Sequence, residues 1–156
     1  MLILDFNKRI KEYIRVNNLR AQYIEFNNSF HTFEAAASEV KGSVNEFVKN
    51  ICMIGEVGQL IVAIVKGEDR VSILRVSKVL NISHPRLITK KEVLEATGYP
   101  AGAVPSFGFE AIFLIDKKVT ELEFVYTSGG SFNSLVKIHI RELLKANKGV
   151  VKRIRE

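Results

Sequence analysis

The chain has 156 residues, of which 47% are hydrophobic and 26% are charged, and this ordinary globular composition excludes wholesale disorder. Its single cysteine excludes an internal disulfide framework and a multi-cysteine zinc site. The formal net charge of +6 at pH 7 favours anionic partners, with nucleic acid first among them, although charge alone selects no function.

The sequence carries no sign of a membrane or export segment. No apolar run reaches the roughly 18 residues that a membrane span needs, and residues 1–15 lack the basic start and long apolar stretch of a signal peptide. The three prolines all lie between positions 85 and 105, so no Pro/Gly/Ser linker divides the chain. We therefore expect a soluble, cytoplasmic protein in which residues 1–156 form one domain.

The N-terminal quarter predicts helices around one strand. Apolar residues at helical spacing predict an amphipathic helix from Phe6 to about Asn17. A strand is predicted at 21–26. Thr32 precedes strong helix formers and is a good N-cap for the next helix, and a further helical piece is predicted at 44–48.

The middle of the chain predicts a β-hairpin and helices. Apolar runs at 51–54 and 60–65 flank a turn at 55–58, a pattern typical of two buried antiparallel strands. Asp69 is expected to cap a helix over 73–80. A second short helix is predicted to begin at a capping box and to end at a glycine, on the residues Thr89, Glu92 and Gly98.

The last third predicts mainly strands. In order, we expect a hairpin of 111–115 and 122–126, a strand at 136–140, a helix at 141–146 and a last strand at 150–151. Because strands outnumber helices and hairpins mix with helical connections, the predicted class is α+β, with one mixed, curved β-sheet and helices packed outside it.

The loop from Thr97 to Gly108, TGYPAGAVPSFG, is the first segment whose composition suggests a role beyond connecting two elements. It holds three glycines and two prolines in twelve residues, which predicts a stiff, closely turned loop. Glycine allows a backbone to approach a ligand, but such loops are also often plain connections. No Gly-Lys-Ser/Thr follows at P-loop spacing, so a P-loop is excluded.

Two further segments are candidates for chemistry. Ser128-Gly129-Gly130-Ser131 follows a predicted strand, and consecutive N–H groups at such a turn can bind an anion, although an ordinary strand-ending turn has the same sequence. Lys49 is predicted at the end of a helical piece, between apolar neighbours, so its ammonium group can point into a cleft or extend to the surface.

The remaining polar candidates are weaker. Of the three histidines, only His31, beside Thr32, is plausible near a site, and none has metal-ligand spacing. Cys52 lies in an apolar strand and is expected to be a small buried hydrophobe. The basic residues of the C-terminal run are either a solvated surface or a contact for a phosphate backbone: Lys145, Lys148, Lys152, Arg153 and Arg155.

The order of these segments resembles the YbaK/EbsC family, which includes the editing domain associated with prolyl-tRNA synthetase. The likeness starts at Thr32-Phe33-Glu34-Ala35-Ala36, similar to the family's T-x-E-x-A helix start, and covers roughly residues 30–145. It implies an α+β fold with a partly barrel-like sheet. It also implies metal- and cofactor-free hydrolysis of mischarged aminoacyl-tRNA, such as alanine or cysteine on proline tRNA, with tRNA and an aminoacyl-tRNA synthetase as partners.

The resemblance also implies roles for particular residues. Lys49 falls on the family's essential lysine and is the predicted catalytic residue. The predicted substrate-binding residues are Thr97, Gly98, Tyr99, Gly102, Ala103, Pro105, Ser106, Ser128, Gly129, Gly130, Ser131 and His31. One position departs from the family, which often has Gly-x-x-x-Pro in the loop, whereas here Ser106 lies four residues after Gly102 and the proline is Pro105.

Two other functions share this charge and fold. A non-catalytic module would bind tRNA or a synthetase through the basic surface, and it would need no lysine in a cleft. A general hydrolase of small esters would use the same cleft without the RNA. Release of amino acid from mischarged tRNA separates the first from an editing enzyme, and the relative rate on a free aminoacyl ester separates the second.

Overall fold

The computed structural model describes residues 6–156 and contains five α-helices and eight strands in that range. In chain order these are α1 (Phe6–Val16), β1 (Ala21–Glu25), α2 (Phe33–Val40), β2 (Val48–Ile54), β3 (Leu60–Lys66), α3 (Ile73–Leu80), β4 (Arg86–Leu87), α4 (Lys90–Thr97), β5 (Ile112–Asp116), β6 (Phe124–Ser128), β7 (Ser134–His139), α5 (Ile140–Asn147) and β8 (Val150–Lys152). Residues 1–5, where the stretch considered for a signal peptide begins, lie outside the described residues.

The strands form two sheets. One has three antiparallel strands in the order β1-β7-β6, and the other has five strands in the order β4-β2-β3-β5-β8. The larger sheet is mixed, because β2 pairs antiparallel with β3 and β4, whereas β3, β5 and β8 run parallel. The α+β class with mixed strands is confirmed. The strands thus form two sheets where one was expected. Within residues 6–156 a β-bridge between Phe47 and Tyr126 joins these two sheets.

The larger sheet is covered on both faces. Strand β3 is buried along five consecutive residues, Ile61 to Val65, which explains its continuous apolar sequence. One face packs against α3 and the other contributes to the main core, which also contains Ile10 of α1 and Leu143 of α5. Cys52 is 7% exposed, as predicted for a small buried hydrophobe, and this burial raises the pKa of its thiol to about 11.

Several predicted helix boundaries are confirmed by their caps. The Thr32 hydroxyl accepts a hydrogen bond from the backbone N–H of Ala35, and Thr89 and Glu92 form the expected capping box, with Gly98 as the C-cap of α4. The helix at 73–80 is also correct, but its N-cap is Ser72 and the Asp69 cap was wrong. The Asp69 carboxylate instead forms an ion pair with Lys118 at 3.5 Å.

Two predicted local arrangements are wrong. The stretch expected to be helical at 44–48 is a short 3₁₀ helix at Val44–Glu46, after which the chain enters β2. The hairpin expected of 111–115 and 122–126 does not form, because β5 and β6 belong to different sheets. A 3₁₀ helix, Lys117–Glu121, connects them and is capped by the Asp116 carboxylate.

None of the helices in the described part of the chain, the longest of which is α1 with 11 residues, has the length and apolar character of a membrane span.

Candidate active site

A cavity of about 580 Å³ opens between the start of α2, the first half of β2 and the end of β6. It lies where the two sheets meet. Its lining includes Glu34, Asn50 and Phe132. Of the residues predicted for the site, the cavity wall contains Lys49, His31, Gly102, Ser128 and Ser131.

Lys49 is the second residue of β2, paired with Val65 of β3, and its side chain is half-buried. The sequence placed it at the end of a helical piece, which was wrong because pairing with β3 extends the strand back to Val48. Lys49 has no ion-pair partner in the described range, although Glu34 lines the same cavity. The cavity thus contains a cation and a carboxylate that do not neutralise each other directly.

Asn50, next to Lys49 in β2, organises a closed ring of hydrogen bonds. Its Nδ2 donates to Thr127 Oγ1 at 3.1 Å, and its Oδ1 accepts from Ser106 Oγ at 2.6 Å. The hydroxyls of Ser106 and Thr127 lie 2.7 Å apart, which closes the ring, and Asn50 Nδ2 also donates to the Val104 carbonyl at 2.8 Å. The ring therefore fastens the glycine-proline loop to β2 and β6.

Ser106, predicted to bind substrate, is a fully buried member of this ring and does not line the cavity. Its backbone carbonyl accepts a further hydrogen bond from Asn147 Nδ2 at 3.0 Å. Its neighbours Pro105 and Ala103 are also buried away from the lining, and the Ala103 N–H donates to the Pro100 carbonyl. These three residues shape the loop from behind the cavity wall.

Gly102 lines the cavity, as Val104 of the same loop also does. It is exposed, with a φ of 89°. A Cβ at this position would lie 3.2 Å from the ring of Phe132, which is 42% exposed on the adjoining loop. The His31 ring lies 6.3 Å from that of Phe132, between centroids. Gly102, His31 and Phe132 form what we call the rim of the cavity.

The turn after β6 is divided between the cavity and the core. Ser128 and Ser131 line the cavity, whereas Gly129 and Gly130 are buried and do not. The Gly129 N–H donates to the Ser134 carbonyl at 3.1 Å, so it is not available to an anion. A Cβ on Gly130 would lie 2.9 Å from the Tyr99 ring, so a residue larger than glycine does not fit at this position without a shift of the ring.

Thr97, Gly98 and Tyr99 lie beneath α1 and outside the cavity lining. The Thr97 hydroxyl donates to the Val93 carbonyl and accepts from the Tyr99 N–H, which ends α4. The guanidinium of Arg9 lies 5.0 Å from the centre of the Tyr99 ring and donates to the Gly98 carbonyl at 2.9 Å. Burial raises the pKa of Tyr99, and the nearby Arg9 charge opposes that rise.

The floor of the cavity is aromatic. The rings of Phe47 and Tyr126 stack with centroids 4.9 Å apart, and Phe33 lies 5.8 Å from Phe47. All three line the cavity. No sequence pattern predicted this floor, Asn50 or Phe132. The polar pair Lys49-Asn50 in an otherwise apolar strand was a usable signal for Asn50.

Metal-ligating side chains do not gather in this region. Residues 6–156 contain no group of three or more His, Cys, Asp or Glu side chains placed to hold a metal ion. His139 caps α5 through Nδ1, which accepts from the Arg141 N–H at 3.1 Å. The groups in the cavity lining that can take part in chemistry are the Lys49 ammonium, the Glu34 carboxylate, the His31 imidazole and hydroxyls.

Comparison with known proteins gives a consistent picture. The model of the aminoacyl-tRNA editing domain family matches residues 27–146. YwhH of Bacillus subtilis (strain 168), an uncharacterized protein, is 25% identical over 138 residues, which is 87% of either chain.

Solved structures share the whole fold. The crystal structure of hypothetical protein APE2540 is 27% identical, with a TM-score of 0.86, and the match covers 95% of this chain and 99% of that one. A candidate trans-editing enzyme for prolyl tRNA synthetase superposes with a TM-score of 0.90 over 99% of both chains at 23% identity, a likeness of fold.

Proposed function

The chain belongs to the aminoacyl-tRNA editing domain family, and from this premise we propose that it hydrolyses the ester bond of mischarged aminoacyl-tRNA in trans. The products are the free amino acid and the tRNA. We propose that residues 1–156 act as one editing domain, and that the reaction needs no metal ion or other cofactor. An aminoacyl ester is already activated, so positioning and charge stabilisation are sufficient for catalysis.

The observation that carries the proposal is Lys49, a half-buried lysine that lines the cavity and has no ion-pair partner in the described residues. Attack of water on the ester carbonyl creates a negatively charged tetrahedral intermediate. A cation in a partly desolvated cavity stabilises that charge more strongly than it would in water. We assign this role, or the binding of the terminal phosphate, to Lys49.

Two other groups support the interpretation of the cavity as an aminoacyl site. Gly102 lines the cavity, and its N–H donates to no acceptor within residues 6–156, so it is free to bind the ester carbonyl. Glu34 supplies a negative charge in the same cavity, which suits the α-ammonium group of an aminoacyl ester. Water is the nucleophile in this proposal.

The aromatic floor favours an apolar aminoacyl side chain. Phe33, Phe47 and Tyr126 offer no charged group to a bound residue. We propose small amino acids, such as alanine or cysteine on proline tRNA, as substrates, with a synthetase as partner. The fold shared with the candidate trans-editing enzyme for prolyl tRNA synthetase supports this choice. An apolar pocket separates neighbours that differ by one methylene by only about 1–3 kcal/mol, which is why editing is needed.

The test is a panel of mischarged tRNAs incubated with wild type and with Lys49→Ala, in buffer containing EDTA. We expect wild type to release amino acid and K49A to be slower by about 10²–10³-fold, the usual effect of losing one donor that stabilises an oxyanion. Lys91→Ala, on the exposed face of α4, is the matched control, because the Lys91 side chain is 86% exposed. Circular dichroism checks that K49A is folded.

Each outcome separates the candidate functions. Turnover by K49A at the wild-type rate contradicts the role given to Lys49. Binding of tRNA without turnover by wild type supports the non-catalytic module. Hydrolysis of a free aminoacyl ester as efficiently as the tRNA-linked ester supports the general ester hydrolase. Loss of wild-type turnover in EDTA contradicts the metal-free reaction.

A further inference from the structure

Phe132 is a large apolar side chain at the rim of the cavity, and it is 42% exposed. Hydrogen bonds hold its backbone at its own carbonyl and at the next residue. The Phe132 carbonyl accepts a hydrogen bond from the Phe30 N–H at 2.9 Å, and the neighbouring Asn133 side chain donates to the Phe26 carbonyl at 2.9 Å. The ring is thus presented to solvent by an anchored loop.

Gly102 leaves room for the ring on one side. A Cβ at Gly102 would lie 3.2 Å from Cε1 of Phe132, closer than most such contacts, so the glycine allows the loop to pass directly beside the ring. His31 is exposed on the same rim, with its ring 6.3 Å from that of Phe132 and tilted by 41°. The rim therefore offers aromatic surface at the entrance, separate from the buried floor.

The chemistry of such a surface suits a nucleobase better than an aminoacyl side chain. Every base has a flat π-face that stacks on an exposed aromatic ring, and this is the usual way in which proteins hold unpaired nucleotides. An apolar aminoacyl side chain finds its apolar surface on the floor, where Phe47 and Tyr126 are 2% and 4% exposed. The exposed Phe132 ring at the rim is therefore placed to contact the part of the substrate that stays outside the cavity.

We propose that Phe132 is the stacking platform for the terminal nucleobase of the aminoacylated RNA strand, with His31 flanking it. This inference rests on the proposed function and names how the site distinguishes an RNA-linked ester from a free one. Stacking acts on the ground state and the transition state alike, so its loss raises KM and leaves kcat nearly unchanged.

The first experiment compares Phe132→Ala and Phe132→Trp with wild type on two substrates that carry the same amino acid. One is an aminoacylated minihelix RNA and the other is the amino acid ethyl ester, which has no base. We expect F132A to raise KM for the minihelix roughly 5- to 150-fold, the effect of losing one base–aromatic stack, and to change KM for the ethyl ester by a much smaller factor. F132W is expected to retain the wild-type KM.

Phe124→Ala is the matched control, because Phe124 is a similarly exposed ring, at 37%, outside the cavity lining. An equal effect of F124A and F132A would overturn the proposal, since it would indicate a general loss of stability. An equal loss on both substrates would also overturn it, because Phe132 would then shape the aminoacyl pocket.

The second experiment does not depend on turnover. Uncharged minihelix RNA with 2-aminopurine at its 3′ terminus is titrated with each variant, and stacking quenches the fluorescence. Quenching by wild type and F132W but not by F132A supports the platform even if no ester is hydrolysed, in which case the proposed function fails by itself. Equal quenching by F132A and wild type overturns the platform while leaving the proposed function intact.

Discussion

Gly102 has two separate reasons to be glycine. Its φ of 89° lies in the region that costs other residues about 1–2 kcal/mol, and a Cβ would press on the Phe132 ring at 3.2 Å. We expect Gly102→Ala to lower the free energy of unfolding by at least the backbone strain and to slow deacylation as well, because the rim is displaced. Urea denaturation and the mischarged-tRNA assay measure the two effects.

The chain provides a matched control for this substitution. Gly58, in the exposed turn between β2 and β3, has a φ of 87°, and a Cβ added to it would meet no atom within 4 Å. Gly58→Ala should therefore cost the backbone strain alone and leave deacylation unchanged. If G58A and G102A lose activity equally, the rim has no special role.

Some residues of the cavity could be predicted from the sequence, and others could not. A lysine between apolar neighbours and a glycine-rich loop are locally unusual, and the resemblance to a known family singled out Lys49 and Gly102. Both residues line the cavity. Ser106 stood in the same loop, yet it faces Asn50 and Thr127 in the interior. Which face of a loop a residue occupies depends on tertiary packing, and no local pattern in the sequence encodes it.

Helix α1 contributes Ile10 to the main core. It lies outside the stretch matched by the family model, residues 27–146, yet it packs against the loop at 97–108. Arg9 binds the Gly98 carbonyl, and the Ile10 side chain would be 3.3 Å from a Cβ on Gly108. The helix is thus part of the structural support of the cavity.

Ile10 is fully buried on α1, so we expect Ile10→Ala to destabilise the protein by about 2–5 kcal/mol, through lost apolar burial and the space left behind. Val16→Ala, at the end of the same helix, is the control, because Val16 is 64% exposed and such surface changes stay within about 0.5 kcal/mol. Denaturant unfolding measures both. If I10A lowers the free energy of unfolding no more than V16A does, then α1 does not contribute to the stability of the core.

The elements that were predicted correctly have local signals, and those that were wrong depend on distant partners. The capping box at Thr89 and Glu92 is visible in four residues, and it places α4 correctly. The separation of β5 from β6 into two sheets is not visible in this way, because β5 pairs with β3 and β8, and β6 with β7. A strand followed by a short connection and another strand predicts a hairpin unless those long-range pairings are known.

Asp116 links the end of β5 to the C-terminal segment. Its carboxylate is fully buried and accepts hydrogen bonds from the N–H groups of Lys118, Ile154 and Arg155 and from the Arg155 guanidinium. Burial raises the pKa of Asp116, but these hydrogen bonds outweigh it, so the net pKa is below its ordinary value.

A lowered pKa in the folded state means that the ionised carboxylate stabilises the fold. This contribution is complete above the unfolded-state pKa of about 4 and is lost as the pH falls through the folded-state value. We expect Asp116→Asn to lower the free energy of unfolding by about 1.5–3 kcal/mol at neutral pH. The NH₂ group of the amide would replace one carboxylate oxygen, and the two N–H donors that this oxygen serves would lose their acceptor. Urea unfolding at a series of pH values should show the difference from wild type shrinking in acid.

The exposed carboxylate of Glu68 supplies the comparison for that experiment. It lies in surface ion pairs with Lys66 and Lys118, and its side chain is 47% exposed. Glu68→Gln should leave the stability and its pH dependence close to wild type, because surface ion pairs contribute little. A difference between D116N and wild type that stays constant from neutral pH into acid would contradict the role given to the Asp116 charge.

The net charge of +6 leads to a prediction about salt. If phosphates contribute to substrate affinity, the logarithm of the association constant should fall linearly with the logarithm of the salt concentration, with a slope of about 0.7 for each single-strand phosphate neutralised. Filter binding of tRNA across a KCl series measures this slope, and ethyl ester hydrolysis, which involves no phosphate, is the control. Affinity independent of salt would contradict docking through the basic surface.

The bridge between Phe47 and Tyr126 joins the two sheets and, through the same pair of stacked rings, forms the cavity floor. In the aminoacyl site that we propose, substitutions at Phe47 or Tyr126 that widen the floor for a bulkier amino acid should therefore also weaken the packing between the two sheets. Variants selected for a wider pocket should then melt at a lower temperature than wild type unless substitutions elsewhere compensate.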